Sequence, residues 1–247
     1  MSPEGTTQVD GRTMAFIDLG TNSLRLLVVR LNEPGAYTVL SEQKEPVRLG
    51  EGEFGADLLA DAAMDRAVIV AGRFAELARS FGAEEIIAVA TSAAREARNK
   101  GVLHSRLQAE AGLDVHVIPG LEEARLIYLG VSSGLALGGR AALFVDIGGG
   151  STEMAIGTAK THTFLSSVKL GSLRLLNLFP PWGPGGTYDP TEYCEMREYC
   201  RSVLLRTLEE LSCHRWETVV GSSGTIQALA DIAGGICLLY TSDAADE

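Results

Sequence analysis

One pattern occurs twice in this chain and limits the folds open to it. Phe16-Ile17-Asp18-Leu19-Gly20-Thr21-Asn22-Ser23 is answered by Phe144-Val145-Asp146-Ile147-Gly148-Gly149-Gly150-Ser151. Each is an apolar strand ending in Asp, then a turn with glycine and a hydroxyl residue, then a second apolar run. One such turn is a common loop. A matched pair points to two similar halves closing on one phosphate-bearing ligand.

The elements around the turns repeat in the same order. Residues 14–19 and 24–31 read as strands flanking the first turn, and 37–47 as a third. Apolar residues at helical spacing over 58–81 predict one or two helices, ended by Gly82. Residues 85–90 read as a buried strand, 91–108 as a turn and a helix, 115–118 as a strand closed by Pro119-Gly120, and 121–131 as a helix. Residues 134–139 form a flexible joint. The second half restarts with strands at 142–147, 152–157 and 162–170. Helices at 173–178 and 190–212, a strand at 216–220 and a helix over 225–233 follow. Residues 180–190, rich in Pro and Gly, read as a surface loop. Three strands and then alternating helix and strand, twice over, give an α/β architecture: mixed sheets flanked by helices, with a ligand cleft between the halves.

Charge and composition narrow the partners. A chain of 247 residues holds one large or two small domains. Its net charge of −11 argues against non-specific binding to nucleic acid, so any positive charge for phosphate must be concentrated locally. No apolar run approaches the ~18 residues that span a bilayer. Residues 1–12 are polar, lack the apolar core of a secretion signal, and read as a disordered lead-in. A cytoplasmic protein with no membrane or nucleic-acid polymer as partner is expected. Cys194, Cys200, Cys213 and Cys237 make no C-x-x-C pair, which favours free thiols over zinc or disulfides.

Glycine lets backbone N–H groups approach phosphate oxygens without interference from Cβ. Gly148, Gly149 and Gly150, with the hydroxyls of Ser151 and Thr152, are therefore candidate phosphate contacts, and Asn22 and Ser23 are candidates in the first turn. Asp18 and Asp146 end strands. Mg²⁺ keeps most of its waters and takes one or two carboxylates plus phosphate oxygens. Asp146 is the stronger ligand candidate, Glu153 a direct or water-bridged one, and Asp18 a holder of a water of the same ion. Arg95, after Thr91-Ser92, is a candidate for a bidentate grip on phosphate. Arg25 follows the first turn and offers the same chemistry, and Arg98, Arg125 and Lys169 extend a basic track for a longer polyanion. Glu122 and Glu123 open a helix, where acidic residues also serve simply as partners of the helix dipole.

Several segments, in order, carry a family resemblance. They are Ala15-Phe-Ile-Asp18-Leu-Gly20-Thr-Asn-Ser23-Leu-Arg25, Ala90-Thr91-Ser92-Ala-Ala-Arg95, Ile118-Pro-Gly120-Leu-Glu122-Glu123-Ala-Arg125 and Val145-Asp146-Ile-Gly148-Gly149-Gly150-Ser151-Thr152-Glu153. Lys169-Leu-Gly171-Ser172 and Gly221-Ser222-Ser223-Gly224-Thr225 follow. Over residues 14–235 the chain resembles the exopolyphosphatase/guanosine pentaphosphate phosphatase family of the actin-like phosphotransferase superfamily. The resemblance implies two actin-like (ribonuclease H-like) domains, 13–137 and 138–236, with an interdomain cleft and the second domain incomplete. It implies a Mg²⁺-dependent phosphohydrolase that releases terminal orthophosphate from inorganic polyphosphate or guanosine pentaphosphate by direct attack of water. It places the general base at Glu123, and Glu122, its neighbour, stays open. The turn at 221–225 is similar to one that kinases of the superfamily use near adenosine. An ATP-dependent kinase and a non-catalytic sensor of polyphosphate or an alarmone remain as alternatives on this scaffold. A homodimer of the full-length parent is left open. Residues 237–247 look like translated sequencing adapter, so a truncated chain with a non-native tail is expected.

Overall fold

Alternation of side chains builds the first sheet. In the computed structural model of the chain, which describes residues 11–32, 36–181 and 186–242 (side chains through 234), Thr13, Ala15, Ile17 and Leu19 of β1 (Thr13–Leu19) are buried. Leu24, Leu26 and Val28 of β2 (Ser23–Leu31) join them, since residues two apart share one face of a strand. β3 (Tyr37–Pro46) follows, then a single-turn α1 (Glu53–Ala56) that the sequence pattern does not announce. In α2 (Asp61–Ser80) Ala63, Met64, Ala67, Val68, Ala71, Phe74, Ala75 and Ala78 form one buried stripe against that sheet face, as the helical period requires. The helix stops at Gly82, whose φ of 76° lets Ala83 N–H return to the Ala78 carbonyl (3.1 Å).

β4 (Glu85–Ala90) leads to α3 (Ser92–Glu96) and α4 (Lys100–Arg106), a π-helical turn at Leu107–Ala111, and β5 (Val115–Val117). The single helix expected over 91–108 is thus broken. Ala97 is extended, and the Asn99 side chain is held by Leu59, donating to its carbonyl and accepting from its N–H, both at 2.9 Å. These long-range bonds override helical propensity. The sheet order is β3-β2-β1-β4-β5, antiparallel on the β3–β2–β1 side and parallel on the β1–β4–β5 side.

The second sheet repeats the plan. α5 (Gly120–Ser133) precedes β6 (Ala142–Ile147), β7 (Thr152–Gly157) and β8 (His162–Val168). α6 (Ser172–Leu178), α7 (Pro190–Ser212), β9 (Thr218–Ser222) and α8 (Ser223–Ser242) follow. The order β8-β7-β6-β9 has the same strand directions as the first four strands of the other sheet. α7 opens on a capping box: Asp189 accepts from Thr191 and Glu192 N–H, and Glu192 accepts from Asp189 N–H. α8 runs on past residue 233, its expected end, to Ser242. Expectations for residues 1–10, 182–185 and 243–247 fall outside the described residues.

By packing, the chain forms two compact units. One contains the chain up to Glu53 and Asp57–Val117, the other Phe54–Ala56 and the chain from Ile118. The division therefore falls after β5 rather than near residue 137, because α5 packs on the second sheet. Its Tyr128, 1% exposed, meets the Phe144 ring edge-on at 5.3 Å and donates from its hydroxyl to the Thr158 carbonyl at 2.7 Å. Gly157 makes the slot, since a Cβ there would lie 2.5 Å from the Tyr128 ring. The sequence periodicity of α5 shows an apolar face but not which sheet receives it. Among the described residues no helix is long and apolar enough to cross a membrane.

Candidate functional site

The β6–β7 turn is closed by the Gly148 N–H donating to the Ser151 carbonyl at 3.0 Å. The carbonyls of Gly148, Gly149 and Gly150 are engaged by the start of α6. Gly148 O accepts from Ser172 N–H (3.0 Å), and Gly149 O from Leu173 and Arg174 N–H (2.8 and 2.9 Å). Gly150 O accepts from Arg174 Nε (2.6 Å). The approach needs glycine at 171, where a Cβ would stand 2.5 Å from the Gly149 carbonyl carbon. In a planar trans peptide the C=O of one residue and the N–H of the next point opposite ways. With three carbonyls directed at α6, the amides of Gly149, Gly150 and Ser151 are directed away from it. Among the described residues no protein acceptor meets them. Successive backbone amides left facing away from the protein in this manner are the kind of donor group that can receive an anion.

Beside this turn runs one polar rung across the sheet. Register places Ser222 of β9 against Asp146 of β6, Asp146 against Glu153 of β7, and Glu153 against Ser167 of β8. Ser222 Oγ donates to Asp146 Oδ2 at 2.6 Å, and Ser167 Oγ donates to Glu153 Oε1 at 2.8 Å. Glu153 is 2% exposed. Burial, then the charges of Glu123 and Asp146, push its carboxyl up to about 8 against the opposing pull of the Ser167 and Ser151 hydroxyls. Glu123, in the first turn of α5, is thus near enough for its charge to be felt at Glu153. Glu122 turns elsewhere. Both its oxygens are gripped by Arg125 (2.8 and 2.7 Å), which holds its carboxyl below the ordinary range. The second unit thus gathers Glu123, Asp146, Glu153, Gly148, Gly149, Gly150 and Ser151. The Thr152 hydroxyl donates to the Leu170 carbonyl at 2.6 Å, tying β7 to the chain before α6.

The remaining candidates lie in the first unit. Asp18 ends β1 opposite Arg25, and Gly20 N–H donates to Ser23 O at 3.1 Å. The Asn22 carbonyl accepts from Val47 and Arg48 N–H, while Thr21 Oγ1 accepts from Ala93 N–H. Arg95 sits in α3, part-buried, four residues past Thr91 O, which its N–H meets at 2.8 Å.

Sequence reasoning passed over Ser167 and Arg174, and quoted Ser222 and Gly171 only within longer motifs. Ser222 lies in a turn already singled out, and counting register from the Asp-tipped strand finds it. Arg174 has no local signal. Among the described residues no three His, Cys, Asp or Glu are grouped as a ready-made metal cage. The donor set does fit a hydrated magnesium ion, which asks for one or two carboxylates beside phosphate oxygens. Asp146 stands next to the amide-lined turn with Oδ2 steadied by Ser222.

Comparison with known proteins is consistent with this architecture. The Ppx/GppA phosphatase family model matches residues 27–236. An exopolyphosphatase from Cytophaga hutchinsonii is 31% identical, with TM-score 0.83 over 90% of this chain and 70% of that one. An exopolyphosphatase-like protein is 29% identical, with TM-score 0.84 over 92% and 70%. The Aquifex aeolicus PPX-GPPA enzyme is 28% identical, with TM-score 0.70 over 90% and 71%. A chain of a PilM–PilN type IV pilus biogenesis complex, 14% identical at TM-score 0.51, shares the fold alone. Two mixed sheets of the actin-like type, built around paired Asp-tipped turns and matched along most of their length, make this chain a member of the Ppx/GppA phosphatase family.

Proposed function

We propose that the chain is a Mg²⁺-dependent exopolyphosphatase, releasing terminal orthophosphate from inorganic polyphosphate by direct attack of water. The observation that carries this reading is the set of outward amides at Gly149, Gly150 and Ser151 flanked by the Asp146–Glu153 rung and Glu123. The resemblance to the C. hutchinsonii exopolyphosphatase supports the choice of substrate.

Terminal phosphoryl oxygens accept from the three amides, which are already aimed and need no rearrangement as charge builds in the transition state. A magnesium ion, held directly or through water at Asp146, would offset the charge of the phosphate chain. Glu123 orients a water and takes its proton as the oxygen attacks phosphorus. The shortened polyphosphate leaves with the electrons of the broken P–O bond. Burial first, and then the nearby Glu123 and Asp146 carboxyl groups, hold the Glu153 carboxyl well above the usual carboxylate range. Asn22, Ser23 and Arg95 are assigned as further phosphate contacts, and Asp18 as a partner of a metal-bound water, on the strength of the matching turn.

The test is phosphate release by the full-length protein from long-chain polyphosphate with magnesium and no acceptor, with guanosine pentaphosphate run in parallel. Release from polyphosphate is expected, and release from guanosine pentaphosphate measures how far the site also takes that substrate. No release from either, with ATP consumed once a phosphate acceptor is added, identifies a kinase instead. Tight binding of polyphosphate without release identifies a sensor.

A further inference from the structure

We propose that Arg174 is a positioning residue that aims and strengthens the amide donors of the β6–β7 turn; the inference rests on the phosphate-binding reading of that turn. Arg174 is 7% exposed, in the first turn of a helix of seven residues. Its Nε donates to Gly150 O at 2.6 Å and its own N–H to Gly149 O at 2.9 Å. Its guanidinium carbon lies 4.0 Å from the centre of the Phe54 ring. Burying a cation is costly unless it is well partnered. The charge sits on the last glycine carbonyl of the turn. Gly150 O and Ser151 N–H belong to one peptide group and point opposite ways. A cationic donor on the oxygen polarises that peptide and makes the N–H on the far side a stronger donor. Positive charge thus reaches a bound phosphate through the backbone. The Phe54 face shields the guanidinium from water and keeps its fork in one orientation.

The experiment compares Arg174→Met, which keeps the stem and removes the donor, with Arg174→Lys, which keeps a cation but not the planar fork. The readouts are KM for polyphosphate, the inhibition constant of inorganic phosphate, and the amide shift and hydrogen exchange of Ser151 in the ligand-free protein. Neither KM nor an inhibition constant depends on the fraction of enzyme folded. Arg174→Met is expected to weaken phosphate inhibition and raise KM by about tenfold, one charge-assisted hydrogen bond's worth, and to speed Ser151 exchange. Arg174→Lys should restore the melting temperature and only part of the affinity. Unchanged KM and inhibition constants, with activity lost only in step with the folded fraction, would overturn the proposal and leave Arg174 a packing residue. If wild-type protein releases no phosphate from polyphosphate, the functional reading fails by itself, while the Ser151 amide still decides whether Arg174 sets the turn.

Discussion

The two Asp-tipped turns share a backbone and differ in what surrounds it. In each, glycine N–H closes onto a serine carbonyl, at 3.1 Å in the first and 3.0 Å in the second. In each, the chain leaving the third strand folds back to engage the turn's carbonyls. Val47, Arg48 and Gly50 do this in the first unit, and Ser172, Leu173 and Arg174 in the second. The rungs through the two aspartates then diverge. Around Asp18 register brings Arg25, Lys44, Val89 and His116; around Asp146 it brings Glu153, Ser167 and Ser222. One rung is basic and apolar, the other acidic and hydroxylic. A duplicated turn therefore supplies shape twice, while the strands beside it set opposite electrostatics.

The largest expected effect lies in the acidic half. Glu123→Ala and Asp146→Ala should each lower phosphate release by about 10³-fold or more with melting little changed, read by a phosphate assay beside calorimetry. Asp18→Ala should cost clearly less, and equal losses would break the asymmetry between the rungs. Next come the turns. Gly171→Ala drives a Cβ to 2.5 Å from the Gly149 carbonyl carbon and should destabilise the second unit by about 1–3 kcal/mol. It should also weaken phosphate inhibition more than Gly20→Ala, whose Cβ would meet Ser23 O within its own turn at 2.8 Å.

A subtler test uses Glu153. Its folded-state value of about 8 stands above the ordinary 4.5, so the native state holds the extra proton between the two. Its contribution to stability is full below about 4.5 and is lost as pH rises toward 8. Glu153→Gln should flatten that slope, by at most about 1.4 kcal/mol per pH unit in the window. Hydrogen exchange should place the change in β7 and β8 and leave β1 and β2 alone. Smallest is Glu122→Gln. An exposed pair with Arg125 contributes little, so activity should stay within about twofold of wild type. A large loss would move the base from Glu123 to its neighbour.

Strands were the most legible part of the fold. The spans expected at 85–90, 142–147 and 152–157 coincide with β4, β6 and β7. Short apolar runs bounded by glycine or turns leave little choice. Helices were legible where an apolar stripe marks them, as in α2, and not where a distant residue decides, as at Asn99 between α3 and α4. At the candidate site, glycine spacing and strand ends marked the turn, Asp146 and Glu153 as candidates, whereas Glu123 was singled out only by the family resemblance. Arg174 and Ser167 stayed hidden because nothing in their own neighbourhood marks them. Their roles come from the strand or helix on which they arrive.

What residue order settled is local: where the chain can turn sharply, which runs are apolar, and that the Asp-Gly hairpin is made twice. Those follow from steric freedom at glycine and from side-chain period, which act over a few residues. Folding in three dimensions settled that α5 belongs with the second sheet, that Glu153 is buried beside Asp146 and Glu123, and that the turn's carbonyls face α6 so its amides face out. Those depend on register and on charges meeting in a medium without water. Both arise between segments far apart along the chain.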